Sequence, residues 1–410
     1  MDILKKQYLN ISLLIFLYVF SWSGCIGLLA LWLDRVVKIN DSKIGLIFGV
    51  NAICAIIIQP IYGRVMDRYG LKKHILYIVA LISILMYPFF KFVYAPMIVD
   101  HLYTAIILGG VYIGLGWAAG IAAFESYMDK FSDTINKEFG SIRMWGSLGW
   151  AAGSLFSGVL FNLSPYYNFI LGSVVSMLTI PLIYNINIRL KTTTEAIVID
   201  KDVVKKVLIK ETLLSRDFIH FCFYVIGIVC IMAVAEQQFS RYFVTFFSTR
   251  EVGASIFGYL STLQCVIEFF MFFLLPKFVN KIGARNGLLL VGLIVTTRML
   301  FTGLTDSYIV ISILKPIYGI EISLLLVSTF KYISEVFDKS VNSSVYLIGY
   351  QAVSQVSIAI ISPIVGYSYL EKGFGATYIY LSVAVLAFTL ISFFLLAKKN
   401  EVKIIYGVQQ

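Results

Sequence analysis

Charge is scarce in this chain: 14% of its 410 residues are Asp, Glu, Lys or Arg, against roughly 25% in a soluble domain. A fold in water covers itself with polar groups, and 59% hydrophobic residues at a mean hydropathy of +0.86 leave too few of them. Histidine is nearly missing as well. His74, His101 and His220 stand far apart, neither a His-Glu-x-x-His run nor a serine elbow occurs, and an enzyme is therefore the class that fits least. The five cysteines, Cys25, Cys54, Cys222, Cys230 and Cys265, fall within apolar runs and make no spaced metal or redox motif. No metal, cofactor or disulfide is expected.

Long apolar stretches stand in place of what is missing. Residues 11–32, 44–62 and 105–124 are near-continuous examples, each matching the roughly 20 residues that cross a hydrocarbon core. Twelve membrane spans are predicted, at 8–33, 44–66, 73–93, 101–128, 139–163, 165–187, 217–246, 253–275, 286–305, 308–331, 341–369 and 375–398. Lys5 and Lys6 ahead of the first run mimic a signal peptide, but the run is too long and lacks a small-residue cleavage site, so it reads as an uncleaved span. Arg64, Arg68, Lys72, Lys73, Lys130, Lys137, Lys205, Lys206, Lys277, Lys281, Arg285 and Lys339 gather in the connections of one side. The positive-inside rule makes that side cytoplasmic, and an even span count puts both termini there. The net charge of +10 is thereby explained by topology rather than by nucleic acid. A monomer in a bacterial inner membrane is expected.

The longest polar connection divides the spans six and six. The chain is accordingly read as an N-terminal six-helix bundle over 1–187, a cytoplasmic linker over 188–216 and a C-terminal six-helix bundle over 217–410. A repeat supports the division: Gly63, Asp67, Arg68 and Gly70, followed by Lys72 and Lys73, come after span two, and a degenerate copy over 276–286 comes after span eight. Two-half repetition is expected of a carrier that rocks around a midplane site. The plainer reading is a basic loop that only fixes topology. The pattern Gly-x-x-x-Asp-Arg-x-Gly-x-Lys-Lys resembles the signature loop of the major facilitator superfamily, which implies an all-α polytopic membrane protein with twelve transmembrane helices in two six-helix bundles.

An ionisable group inside the bilayer needs a partner, water or a proton, so the few such residues are informative. Glu125 in span four and Arg143 in span five stand equally far from a turn near Thr134 and are expected to pair. Arg143, Ser147 and Trp150 share one helix face, where a guanidinium, a hydroxyl and an indole suit a sugar; the alternative is a structural pair beside an ordinary buried tryptophan. Glu236 and Lys315 match in depth and are expected to form a structural ion pair. Glu268, Arg298 and Glu321 remain near the centre, with Tyr318 one turn from Glu321. Two carboxylates against one cation leave an excess acid, most simply Glu321, to hold a proton, unless water solvates all three. Arg241 is expected to snorkel to the outer surface.

With these residues in view, the chain resembles the oligosaccharide/proton symporters of the major facilitator superfamily, the lactose and sucrose permease group. Matching stretches are 125–130, 138–140, 143–147, 224–227, 236–239 and 330–332. The resemblance implies sugar contacts from Glu125, Arg143 and Trp150, a structural pair at Glu236 and Lys315, and proton coupling through Arg298 and Glu321. Glu268, Ser164-Pro165 and Gly349-Tyr350-Gln351 lean toward the sucrose permeases, whereas lactose permeases carry their span-eight glutamate at the position of Cys265. Tyr318 stands where both groups usually have histidine; its hydroxyl can bond a sugar but will not become cationic. Ala233 and Ser354 replace a second charged pair together, leaving no orphan, and Pro316 is expected to kink span ten. Proton-coupled import of a sucrose-like disaccharide is the resulting expectation, with Glu268 serving both sugar and proton. The alternatives are a galactoside or other sugar symporter, a drug/proton antiporter and a sugar sensor that does not transport.

Overall fold

The computed structural model describes residues 3–69, 72–134, 139–186, 210–338 and 341–398. Twelve long helical segments follow one another among them: α1 (3–37), α2 (Asp41–Tyr69), α3 (74–100), α4 (102–134), α5 (Phe139–Leu163), α6 (Tyr167–Asn185), α7 (216–246), α8 (Arg250–Ile282), α9 (Ala284–Leu304), α10 (Tyr308–Val336), α11 (342–372) and α12 (Phe374–Leu395). In hydrocarbon every backbone polar group must bond within its own segment, which a helix achieves. Ten of these helices are long and apolar enough to cross a membrane alone, and α3, bent by 48° after Ile84, makes eleven. The remaining one, α5, has 25 residues but is diluted by Arg143 and repeated Gly and Ser. It packs along α1 and α8, so protein rather than lipid covers much of its polar face.

Local signals set the ends. Ser215 Oγ accepts from the Phe218 amide ahead of α7, and Thr249 Oγ1 accepts from the Val252 amide ahead of α8. Gly283 (φ 88°) and Gly373 (φ 79°) are one-residue joints, α8 to α9 and α11 to α12, in a conformation that side chains disfavour. Several helices contain wide π-turns, at Gly114–Ala118 of α4 and Tyr346–Ala352 of α11 among others.

The bundles α1–α6 and α7–α12 meet where α2 runs along α11 and α5 along α8. A Cβ added to Gly45 would stand 2.9 Å from Gly366 Cα, and one added to Gly258 would stand 3.1 Å from Gly158 N. Glycine at these crossings is what lets backbones approach. Large apolar side chains such as Ile107, Phe301 and Phe394 face outward, as a hydrocarbon solvent requires.

Two sequence-based expectations change. α2 continues to Tyr69, so Gly63 and Arg68 ride on its last turns rather than in a loop; Gly70 and the Asp67 side chain lie outside the described residues. The degenerate copy is likewise helix as far as Ile282, with Pro276 inside α8. Of the linker, 188–209 falls outside the described residues. α10 is one continuous helix across Pro316.

Candidate functional site

A cavity of about 740 Å³ lies between the bundles, nearer the end where α5 begins and α8 and α10 finish. The N-terminal bundle lines it with Glu125, Ser141, Arg143, Met144 and Ser147, the C-terminal bundle with Glu268, four further residues of α8, three of α10 and Tyr346. Arg143 Nε donates to Glu125 Oε1 at 2.5 Å, and both side chains stay about a third exposed. The α4–α5 hairpin sets them level, as their equal distance from its turn predicts. A carboxylate and a guanidinium at an accessible wall can accept from and donate to vicinal hydroxyls at once.

Glu268 joins this cavity and not the centre of the C-terminal bundle. Its carboxylate lies within electrostatic reach of Arg143, while its backbone carbonyl accepts from Ser323 Oγ at 3.2 Å. The expected grouping of Glu268, Arg298 and Glu321 is therefore corrected. Arg298 Nε donates to Glu321 Oε1 at 2.7 Å, and its Nη1 donates to Glu236 Oε1 at 3.1 Å. Lys315 Nζ donates to Glu236 Oε2 at 3.1 Å and to Gln264 Oε1 at 2.7 Å. Glu236 thus joins two cations into one chain: Lys315, Glu236, Arg298, Glu321.

Two positive and two negative groups balance, so the excess-acid argument for Glu321 no longer holds; of the four membrane-embedded acids Glu125, Glu236, Glu268 and Glu321, Glu268 is the one without an ion-pair partner among the described residues. Glu321 and Arg298 are almost wholly buried. One atom of each, Glu321 Oε2 and Arg298 Nη2, has no hydrogen-bond partner among the described residues. Tyr318 packs its ring under both cations, 5.4 Å from Arg298 Cζ and 5.6 Å from Lys315 Nζ, and belongs to this charged chain rather than to the cavity lining.

Ser147 lines the cavity, whereas Trp150, one turn further along α5, does not. Its indole packs at 5.4 Å and 42° against Trp117, which the π-turn of α4 presents. The pairing of Trp150 with Trp117 was not visible in the sequence, because a π-turn rotates one helix face relative to the α-helical pattern.

The opposite end is closed by charge. Arg35 bonds Glu251 at 2.8 Å, Arg250 bonds Asp34 at 3.2 Å, and Arg241 bonds Asp34 at 3.1 Å and also pairs with Asp41. Gln238 Nε2 donates to the Asp41 carbonyl at 3.1 Å, and Asn162 Nδ2 to that of Glu251 at 2.6 Å. Each contact joins one bundle to the other. Arg241 is ion-paired and does not snorkel. The missed signal was a charge-swapped pair of dipeptides, Asp34-Arg35 and Arg250-Glu251, at matching ends of α1 and α8.

Comparison with known proteins adds a family. The model of the LacY proton/sugar symporter family matches residues 1–409. The melibiose permease of Enterobacter cloacae is 33% identical over 394 residues, covering 95% of this chain and 93% of that one. The raffinose permease of Escherichia coli is 35% identical over 391 residues (94% and 92%), and its sucrose permease 32% over 388 residues (94% and 92%). Among solved structures, the nucleoside transporter NupG superposes with a TM-score of 0.77 at 14% identity, covering 96% of this chain and 99% of that one. That likeness concerns the fold alone.

Proposed function

Because the chain belongs to the LacY proton/sugar symporter family, we propose that it imports a disaccharide together with protons by alternating access, with a preference for sucrose-like sugars. It is a membrane transporter and not an enzyme. The observation that carries the finer reading is the convergence of Glu125 and Arg143 from one bundle and Glu268 from the other on a single cavity. In this reading Glu125, Arg143, Ser147 and Glu268 hold sugar hydroxyls, Trp150 stands one turn beyond Ser147, and Tyr318 acts through the charged chain it packs under rather than by touching the sugar.

Glu321 takes the proton. Arg298 is shared between Glu321 and Glu236, so a neutral Glu321 still leaves the guanidinium bonded to the Glu236 carboxylate. The bundles 1–187 and 217–410, linked by 188–216, then rock around the loaded site, and the charged strap at the far end is the contact that must open. A cavity placed at the basic end corresponds to an inward-open carrier in a membrane with cytoplasmic termini.

The sucrose preference rests on Glu268, Ser164-Pro165 and Gly349-Tyr350-Gln351, since the identities of the relatives lie too close to single out one sugar. Uptake by reconstituted carrier, measured across sucrose, lactose, melibiose and raffinose with external pH recorded, tests the whole reading. Sugar-dependent alkalinisation with sucrose foremost is expected; no pH change with any of the four sugars would sink symport. Glu321→Gln is expected to abolish accumulation and to spare sugar exchange.

A further inference from the structure

We propose that Tyr346 of α11, held by Gln351 of the same helix and stacked on Phe330 of α10, forms with Phe330 the wall that selects for a second sugar ring, an inference that rests on the cavity being the sugar site. None of these residues belongs to the cluster that grips hydroxyls from the N-terminal bundle. In an α-helix, residues five apart point in different directions, but in a π-turn, whose hydrogen bonds run from i to i+5, they share a face. The segment Tyr346–Ala352 is such a turn. As a result Gln351 Nε2 donates to Tyr346 Oη at 3.2 Å, a contact that an unbroken α-helix would not make.

The amide fills an acceptor site on the phenol, and the phenolic proton remains available for a sugar oxygen. The ring itself is held from both sides. Tyr350 stacks on it at 5.2 Å and 10°, and Phe330 of α10 at 4.7 Å and 28°. Tyr350 is buried, whereas Phe330 is 53% exposed, so the three-ring ladder is anchored at one end and open at the other. Tyr346 and Phe330 both line the cavity, and the Tyr346 hydroxyl is within electrostatic reach of Glu125 and Arg143.

The cavity therefore has two unlike walls. A charged wall grips hydroxyls, and in the aromatic wall the exposed ring of Phe330, backed by Tyr346, offers an apolar face to the C–H face of a pyranose, with the Tyr346 hydroxyl beside it. A volume of 740 Å³ lies in the upper part of the range of about 300–1,000 Å³ that holds drug-sized ligands, which leaves room beside the ring held at Glu125 and Arg143. A single ring gripped by the charged wall leaves the aromatic wall empty. A disaccharide reaches both.

Half-saturating concentrations for exchange by reconstituted carrier, compared between disaccharides (sucrose, lactose, melibiose) and monosaccharides (glucose, fructose, galactose), test this. Tyr346→Ala removes the ring that backs Phe330 and is expected to raise the disaccharide value about tenfold, the size of a lost stacking contact, and to leave the monosaccharide value unchanged. Tyr346→Phe and Gln351→Leu keep the ring and are expected to raise the disaccharide value about threefold, as the loss or misdirection of one hydrogen bond does; they carry the test if the alanine variant does not fold. Equal shifts for both sugar classes, or none, overturn the wall while leaving the sugar site standing. A wild-type carrier that takes no disaccharide overturns the sugar reading, and the wall with it.

Discussion

At the scale of single residues, the membrane-embedded charges behave as a ledger that must close locally, because an unpaired ion in hydrocarbon has no water to turn to. Glu236 is the shared member: it holds Lys315 and one nitrogen of Arg298. The two ends of the Glu236–Lys315 pair should therefore differ. Glu236→Ala strips both cations of a partner and is expected to cost about 3–5 kcal/mol, the usual effect of breaking a buried pair. Lys315→Ala leaves Glu236 bonded to Arg298 and should cost clearly less. Removing both is expected to recover much of the loss, because no Lys315 ammonium then lacks its carboxylate. Thermal stability of the purified carrier in detergent reads all three. An equal cost for the two single changes would contradict the shared role of Glu236. The pairings Glu125–Arg143 and Glu236–Lys315 were legible from depth along the spans. Depth says nothing about the direction in which a side chain points, however, and direction is what separates Glu268 from Arg298.

At the scale of elements, the two ends of the molecule are built differently. The basic end is joined by segments such as Gly283 and opens on the cavity, whereas the far end is strapped by Arg35, Arg241 and Arg250 against Asp34, Asp41 and Glu251. Such pairs bridge separate bundles, so they resist a rocking motion in a way that pairs within one bundle do not. Arg241→Gln is expected to loosen this end. A cysteine placed at Ala254, which is fully buried against α5, in a protein lacking the five native cysteines, should then react several-fold faster with a thiol reagent. An unchanged labelling rate would mean that the glycine crossings alone hold the end shut. The helices themselves were visible as apolar runs. Their π-turns were not, since an inserted residue disturbs no composition and only slightly disturbs periodicity.

At the scale of the whole molecule, the basic connections predict an orientation, and the cavity gives that prediction a readout. Met144 lines the cavity near the basic end. Met144→Cys is expected to react with an impermeant thiol reagent in inside-out vesicles and slowly in right-side-out ones. The reverse pattern would place the basic end outside. Both results bear on inward opening, because the strap at the other end and the cavity at this one belong to a single arrangement of the two bundles.

Composition and run length were sufficient for the solvent, the long helices and the ionisable residues to watch, because each depends on residue type and one-dimensional spacing alone. Which carboxylate meets which cation, the pairing of Trp117 with Trp150, the meeting of Tyr346 with Gln351 and the strap between α1 and α8 were decided only by tertiary structure. Those outcomes turn on helix rotation and on the approach of two bundles, and neither quantity is written along a single helix.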